Sequence, residues 1–98
     1  MKVVTICGSM RFAKEMMSIA EDLELKNGYV VIQCIYPNVD RNYTEEEENI
    51  LDKAQVGKID LSDAIYVVNI NGYIGSSTKK EIEYATKTGK EIIYHEQV

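Results

Sequence analysis

Two kinds of apolar pattern alternate along this 98-residue chain: short β-branched runs, and longer stretches with apolar residues three and four positions apart. Lys2-Val3-Val4-Thr5-Ile6-Cys7 is a run of the first kind that ends on Gly8-Ser9, so it predicts a central strand entering a tight turn. From Met10 onward, Phe12, Ala13, Met16, Met17, Ala20 and Leu23 recur at helical spacing, with Ser9 available as N-cap and Gly28 closing the helix after Asn27. Tyr29 to Ile35 predicts a second strand, nearly all apolar as a parallel strand covered on both faces would be. Tyr36 to Tyr43 contains the only proline, Pro37, together with Asn38, Asp40 and Asn42, and reads as a loop.

Thr44-Glu45-Glu46-Glu47 has the form of a capping box and opens a helix that should carry Ile50, Leu51, Ala54 and Ile59 inward, with Gly57 as its weak point. Ala64 to Ile70 predicts a third strand, followed by the glycine-bearing loop Asn71 to Gly75. Ser76, Ser77 or Thr78 would cap a last helix reaching about Thr88, Gly89 would end it, and Glu91 to Tyr94 would form a final strand. Strands that alternate with helices through right-handed crossovers make an open parallel sheet with helices on both faces. The expected strand order is 2-1-3-4. Ligands of such sheets bind outside the carboxyl ends of the strands at the switch point, which here brings Gly8 to Phe12 opposite Asn69 to Ser77.

This length holds a single domain, residues 1–98. An apolar fraction of 45% and a charged fraction of 28% are ordinary globular values, which argues against disorder or a fibrous repeat. No apolar run is long enough for a membrane span, and Val3 to Cys7 is too short for a signal-peptide core, so a cytoplasmic protein without a membrane partner is expected. The net charge of −5 repels long nucleic acid. It does not prevent a few aimed donors from holding one small anion. Cys7 and Cys34 have neither zinc nor Cys-x-x-Cys spacing and read as free buried thiols, and His95 stands alone. Neither a metal nor any other cofactor is expected.

Gly8-Ser9-Met10-Arg11 joins a strand to a helix, where free backbone N–H groups and Arg11 could hold a phosphate or carboxylate. The same residues could simply make the turn and cap the helix. They have the spacing of neither a Walker A loop nor a dinucleotide fingerprint. Glu81 follows Thr78 by three residues, so the pair could form an ordinary capping box. Alternatively, a carboxylate kept ionised near a helix N-terminus at the mouth of the sheet suits a nucleophile attacking a sugar carbon. Glu83 should face away from it. Asp60 and Asp63, between the end of the second helix and the start of the third strand, read first as turn and cap residues.

Lys58-Ile59-Asp60-Leu61-Ser62-Asp63, Val67-Val68-Asn69 and Gly72 to Ala85 together resemble the nucleoside 2-deoxyribosyltransferase-like family. Ile6 to Arg11 also looks like the phosphate loop of the related 2'-deoxynucleoside 5'-monophosphate N-glycosidases. The resemblance implies a flavodoxin-like three-layer sandwich and cleavage of, or deoxyribosyl transfer from, a deoxynucleoside or its 5'-monophosphate. Glu81 would be the nucleophile. Gly8, Ser9, Met10 and Arg11 would surround the 5' end of the sugar, and Asn69, Gly75, Ser76 and Ser77 would lie in the loop that meets the phosphate. Where the family pattern has a tyrosine and an aspartate this chain has Thr5 and Gln55, so Asp60, Asp63 or water would assist base departure. A non-catalytic nucleotide-binding or sensor module of the same fold is the alternative. Relatives share sites across subunits, so a homo-oligomer, most simply a dimer, is expected.

Overall fold

The computed structural model describes residues 1–36 and 40–98. The expected loop positions Pro37 and Asn38 lie outside the described residues. Four strands, β1 (Val3–Gly8), β2 (Val30–Ile32), β3 (Ala64–Val68) and β4 (Glu91–Tyr94), form one sheet in the order β2-β1-β3-β4. Every pairing is parallel. Three helices, α1 (Ala13–Asn27), α2 (Glu45–Asp60) and α3 (Ser76–Lys87), make the crossovers. This is the flavodoxin-like α/β arrangement.

Strand alternation divides the core. Val4, Ile6, Ala64 and Val68 pack with Met16, Ala20 and Leu23 of α1 on one face. Cys7, Ile65 and Val67 pack with Ile59 of α2 and Ala85 of α3 on the other. β1 and β3 are paired on both sides and buried on both faces, which is what their unbroken β-branched character requires.

Several local expectations shift. β2 is a three-residue edge strand with Val30 exposed, because only β1 flanks it; its apolar run does not mark a strand covered on both faces. Ser9 caps a single 3-10 turn, Met10–Phe12, with its Oγ accepting from the Arg11 N–H, and α1 begins only at Ala13. Gly28 ends α1 with φ of 68°, a conformation that favours glycine. The Thr44–Glu47 capping box forms with both hydrogen bonds. α2 also runs through Gly57, where an added Cβ would touch nothing within 4 Å.

The inward face of α2 differs most from expectation. Ile50 is 58% exposed and Ala54 is also exposed, and Ile59 is the helix's only buried residue. Glu48, Asp52, Gln55 and Lys58, with Leu51, instead line a cavity beside the helix. The helix is held near its carboxyl end, where the Thr5 and Ser62 hydroxyls lie 2.6 Å apart and reach the Lys58 carbonyl at 3.0 and 2.9 Å.

Thr5→Val should therefore destabilise the protein by about 1–2 kcal/mol, because it removes a buried hydroxyl without changing side-chain volume. Urea unfolding should show a lower midpoint at unchanged slope. A midpoint equal to that of the native chain would show that this junction does not anchor α2.

Candidate functional site

A cavity of about 530 Å³ opens at the carboxyl end of β1, between α2 and α3. Its floor is Cys7 and Gly8, and the turn through Ser9 and Met10 forms one rim. Gly8 allows this turn to form close to the core: a Cβ there would sit 3.0 Å from the Met16 sulfur and 3.2 Å from Val68 Cβ. Across the mouth, a Cβ on Gly75 would lie 3.8 Å from Ser9 Cβ, so the two loops expected to face one another are in contact. Tyr73 joins them, with the Arg11 guanidinium 3.6 Å above its ring and Phe12 edge-on at 6.1 Å.

α3 begins directly at this mouth. Its N-cap is Gly75, which offers no side-chain cap, so the expected caps at Ser76, Ser77 or Thr78 do not form. Thr78 and Glu81 make no capping box either; Glu81 lies beyond the first turn and projects into the cavity instead. Ser76, Ser77 and Thr78 line the cavity with it. Thr78 is 2% exposed, and no buried side-chain polar atom among the described residues lacks a hydrogen-bond partner.

Glu81 is half-buried, and its pKa rises from the ordinary 4.5 to about 7. Burial is the main cause, a hydrogen bond from the Cys7 thiol opposes it, and the Asp52 carboxylate adds to it. The expected stabilisation of the charge by the helix N-terminus is overridden because the macrodipole fades beyond the first turn. Cys7 has its own pKa pushed well up, by burial and then by the Glu81 charge. Gln55 Nε2 stands 3.5 Å from the Ile6 carbonyl and 3.8 Å from Cys7 Sγ, linking α2 to the same group of residues.

The structure brings Gly8, Ser9, Met10, Gly75, Ser76, Ser77 and Glu81 together around one cavity. It does not bring the remaining candidates there. Asn69 is buried and exchanges hydrogen bonds with the Glu96 backbone, and Arg11 stacks on Tyr73 outside the cavity wall. Asp60 and Asp63 sit at the amino edge of the sheet, away from the cavity: Asp60 accepts from the Tyr84 hydroxyl and Asp63 from the Val3 N–H. Their expected part in base departure has no geometric support.

Sequence reasoning gave no part to Glu48, Asp52 and Lys58, which line the cavity side of α2 together with Gln55. The signal was their spacing relative to Ile59: positions 48, 51, 52, 55 and 59 lie along one helical face. Cys7 and Cys34 also line the cavity, both free; Cys7 is buried as expected, whereas Cys34 is only half-buried because it faces the cavity.

Fold and cavity together define a parallel α/β protein with a half-buried acid at the β1–β3 switch point. Comparison of the chain with protein-family models, characterised proteins and solved structures gave no match. No helix among the described residues is long and apolar enough to cross a membrane.

A carboxyl group whose folded-state pKa is raised favours the native state fully below its unfolded value, and that contribution is lost as pH rises through the folded value. For Glu81 the window runs from 4.5 to about 7. Glu81→Gln mimics the protonated form, so it should be neutral to stability at pH 4 and stabilising by up to about 3 kcal/mol at pH 8. Thermal unfolding of both proteins across that range checks this, and parallel curves would refute the burial of a charged Glu81.

Proposed function

We propose that this protein cleaves the N-glycosidic bond of a deoxynucleoside 5'-monophosphate, or transfers its deoxyribosyl group, with Glu81 as nucleophile. The observation that carries the reading is the position of Glu81: a carboxylate in the cavity wall, across from a strand-to-helix turn and beside the uncapped start of α3. The chain's resemblance to the nucleoside 2-deoxyribosyltransferase-like family supports the same assignment.

The cavity supplies what each part of such a substrate needs. Backbone N–H groups at Ser76 and Ser77, their hydroxyls and that of Thr78 suit a phosphate, which a helix N-terminus attracts. Glu81 then faces the anomeric carbon. In the retaining pathway its carboxylate attacks as the base departs through an oxocarbenium-like state, and water or a second base takes the sugar from the ester. The Cys7 thiol opposes the effect of burial on the carboxylate's charge.

A binding module without turnover is the second reading, favoured by Gln55. Its amide occupies the α2 wall near Cys7 and cannot give up a proton to a departing base at neutral pH.

Incubation with a panel of deoxynucleosides and their monophosphates should release free base, detected by chromatography. kcat/KM should rise about tenfold per pH unit below about 7 and level off above it, because only ionised Glu81 attacks. Glu81→Gln should lower release by at least about two orders of magnitude while Glu83→Gln, on the exposed side of α3, retains it. No release from any compound would move the assignment to the binding module.

Thr78→Val removes a hydroxyl from the cavity wall without changing side-chain volume, so affinity for a deoxynucleoside monophosphate should fall about 3–10-fold. Calorimetry with the nucleoside alone is the control. An equal loss for both ligands would detach Thr78 from the phosphate.

A further inference from the structure

We propose that Glu96 is a positioning residue: its carboxylate, just beyond β4, latches the loop between β3 and α3 in the turn that brings Tyr73 and Gly75 to the cavity mouth. The expected effect on affinity rests on the nucleotide reading of the cavity. The latch itself does not.

The loop makes two interlocking turns before α3 begins. The Gly72 N–H donates to the Asn69 carbonyl at 2.8 Å, and the Tyr73 N–H to the Ile70 carbonyl at 3.1 Å. The second turn has φ of 55° at Asn71 and 76° at Gly72, the two positive angles that a type I′ turn requires. Asn71 is the only residue other than glycine with a positive φ among the described residues. A Cβ disfavours that conformation, although asparagine bears it better than most side chains. The chain downstream of β4 supplies the restraint.

The Asn71 N–H donates to both oxygens of the Glu96 carboxylate, at 3.1 and 3.2 Å. Hydrogen bonds to an ionised acceptor are stronger than neutral ones. Glu96 is in turn fixed from the sheet side. Asn69, 1% exposed, accepts from the Glu96 N–H at 2.7 Å and donates to its carbonyl at 3.0 Å. Next to it the His95 N–H donates to the Val67 carbonyl at 2.8 Å, and the His95 ring meets the Tyr66 hydroxyl at 2.8 Å. Asn69 thus seats the backbone of Glu96, and Glu96 returns its carboxylate to the turn that follows Asn69. Asn69, Asn71 and Glu96 do not line the cavity; the latch acts through Tyr73, which carries Arg11 on its ring, and through Gly75, where α3 starts.

Glu96→Ala tests the carboxylate alone, because the backbone exchange with Asn69 survives the substitution. Hydrogen exchange at the Gly72 and Tyr73 amides, whose own acceptors remain in place, should quicken about tenfold while the His95 amide keeps its protection. Affinity for a deoxynucleoside monophosphate, read by calorimetry, should fall about 3–10-fold. Adding Asn71→Gly, which adopts a positive φ without strain, should restore most of both. Glu96→Gln keeps one acceptor for the Asn71 N–H and should lie between the native chain and Glu96→Ala. Unchanged exchange at Gly72 and Tyr73 overturns the proposal. So does acceleration that extends to the His95 amide, which marks general loosening, or a loss that Asn71→Gly leaves unrepaired. Faster exchange confined to the loop, in a chain that binds no deoxynucleotide, upholds the latch and sinks the nucleotide reading. Nucleotide binding that Glu96→Ala leaves unchanged overturns this inference and spares the assignment of Glu81.

Discussion

The parallel ladder between β1 and β3, running from Val4 beside Ala64 to Gly8 beside Val68, determines where everything else can go. Parallel strands deliver their carboxyl ends to one edge, yet the chain leaves β1 toward α1 on one face and β3 toward α3 on the other. A crevice opens where the two paths part. Its depth depends on Gly8, the one position where a side chain would strike both the Met16 sulfur and Val68. Its width is fixed by Tyr73, which takes Arg11 on its face and Phe12 at its edge and so joins the two loops without filling the space below them.

Electrostatics follows from that geometry. Because α3 starts at Gly75 with no side-chain cap, its first-turn residues face the crevice, and Glu81 is carried one turn deeper to a half-buried site. Burial there raises the energy of the charged form, and Asp52 raises it further. The fold thus keeps an acid where it lowers stability at neutral pH. Such a position is typical of groups that serve a site rather than the core. The Cys7 thiol offsets part of that cost, and the Gln55 amide of α2 reaches the Ile6 carbonyl and the Cys7 sulfur of β1.

Much of the fold was legible because strands and helices alternate cleanly, with Gly8, Gly28 and Gly89 as punctuation. The order β2-β1-β3-β4 followed from crossover handedness. The helix starts were less legible. Thr44 caps α2 as its sequence says, but Ser76, Ser77 and Thr78 look equally like caps and none acts as one. For the site, the turn at Gly8 and the carboxylate of Glu81 were readable, whereas the α2 wall was not. Apolar spacing locates a helix face that seals a core, whereas α2 gives the core only Ile59; Ile50 is exposed, and the cavity is lined by Glu48, Asp52, Gln55 and Lys58 with Leu51 among them. Asp60 and Asp63 misled for a related reason: lying near a strand in sequence does not say which end of the sheet a residue occupies.

The way α2 is fastened has a mechanical consequence. Ile59 and the Thr5–Ser62–Lys58 junction hold one end, and no other residue of the helix is buried. From Ile59 back to Glu48 the helix extends about 16 Å at 1.5 Å per residue, so each degree of tilt about the fixed end moves Glu48 by about 0.3 Å. Gln55, close to the pivot, hardly moves. The cavity therefore behaves as a caliper with one stiff jaw: its depth near Cys7 and Glu81 is set by the sheet, while the span to Glu48 adjusts to whatever lies between.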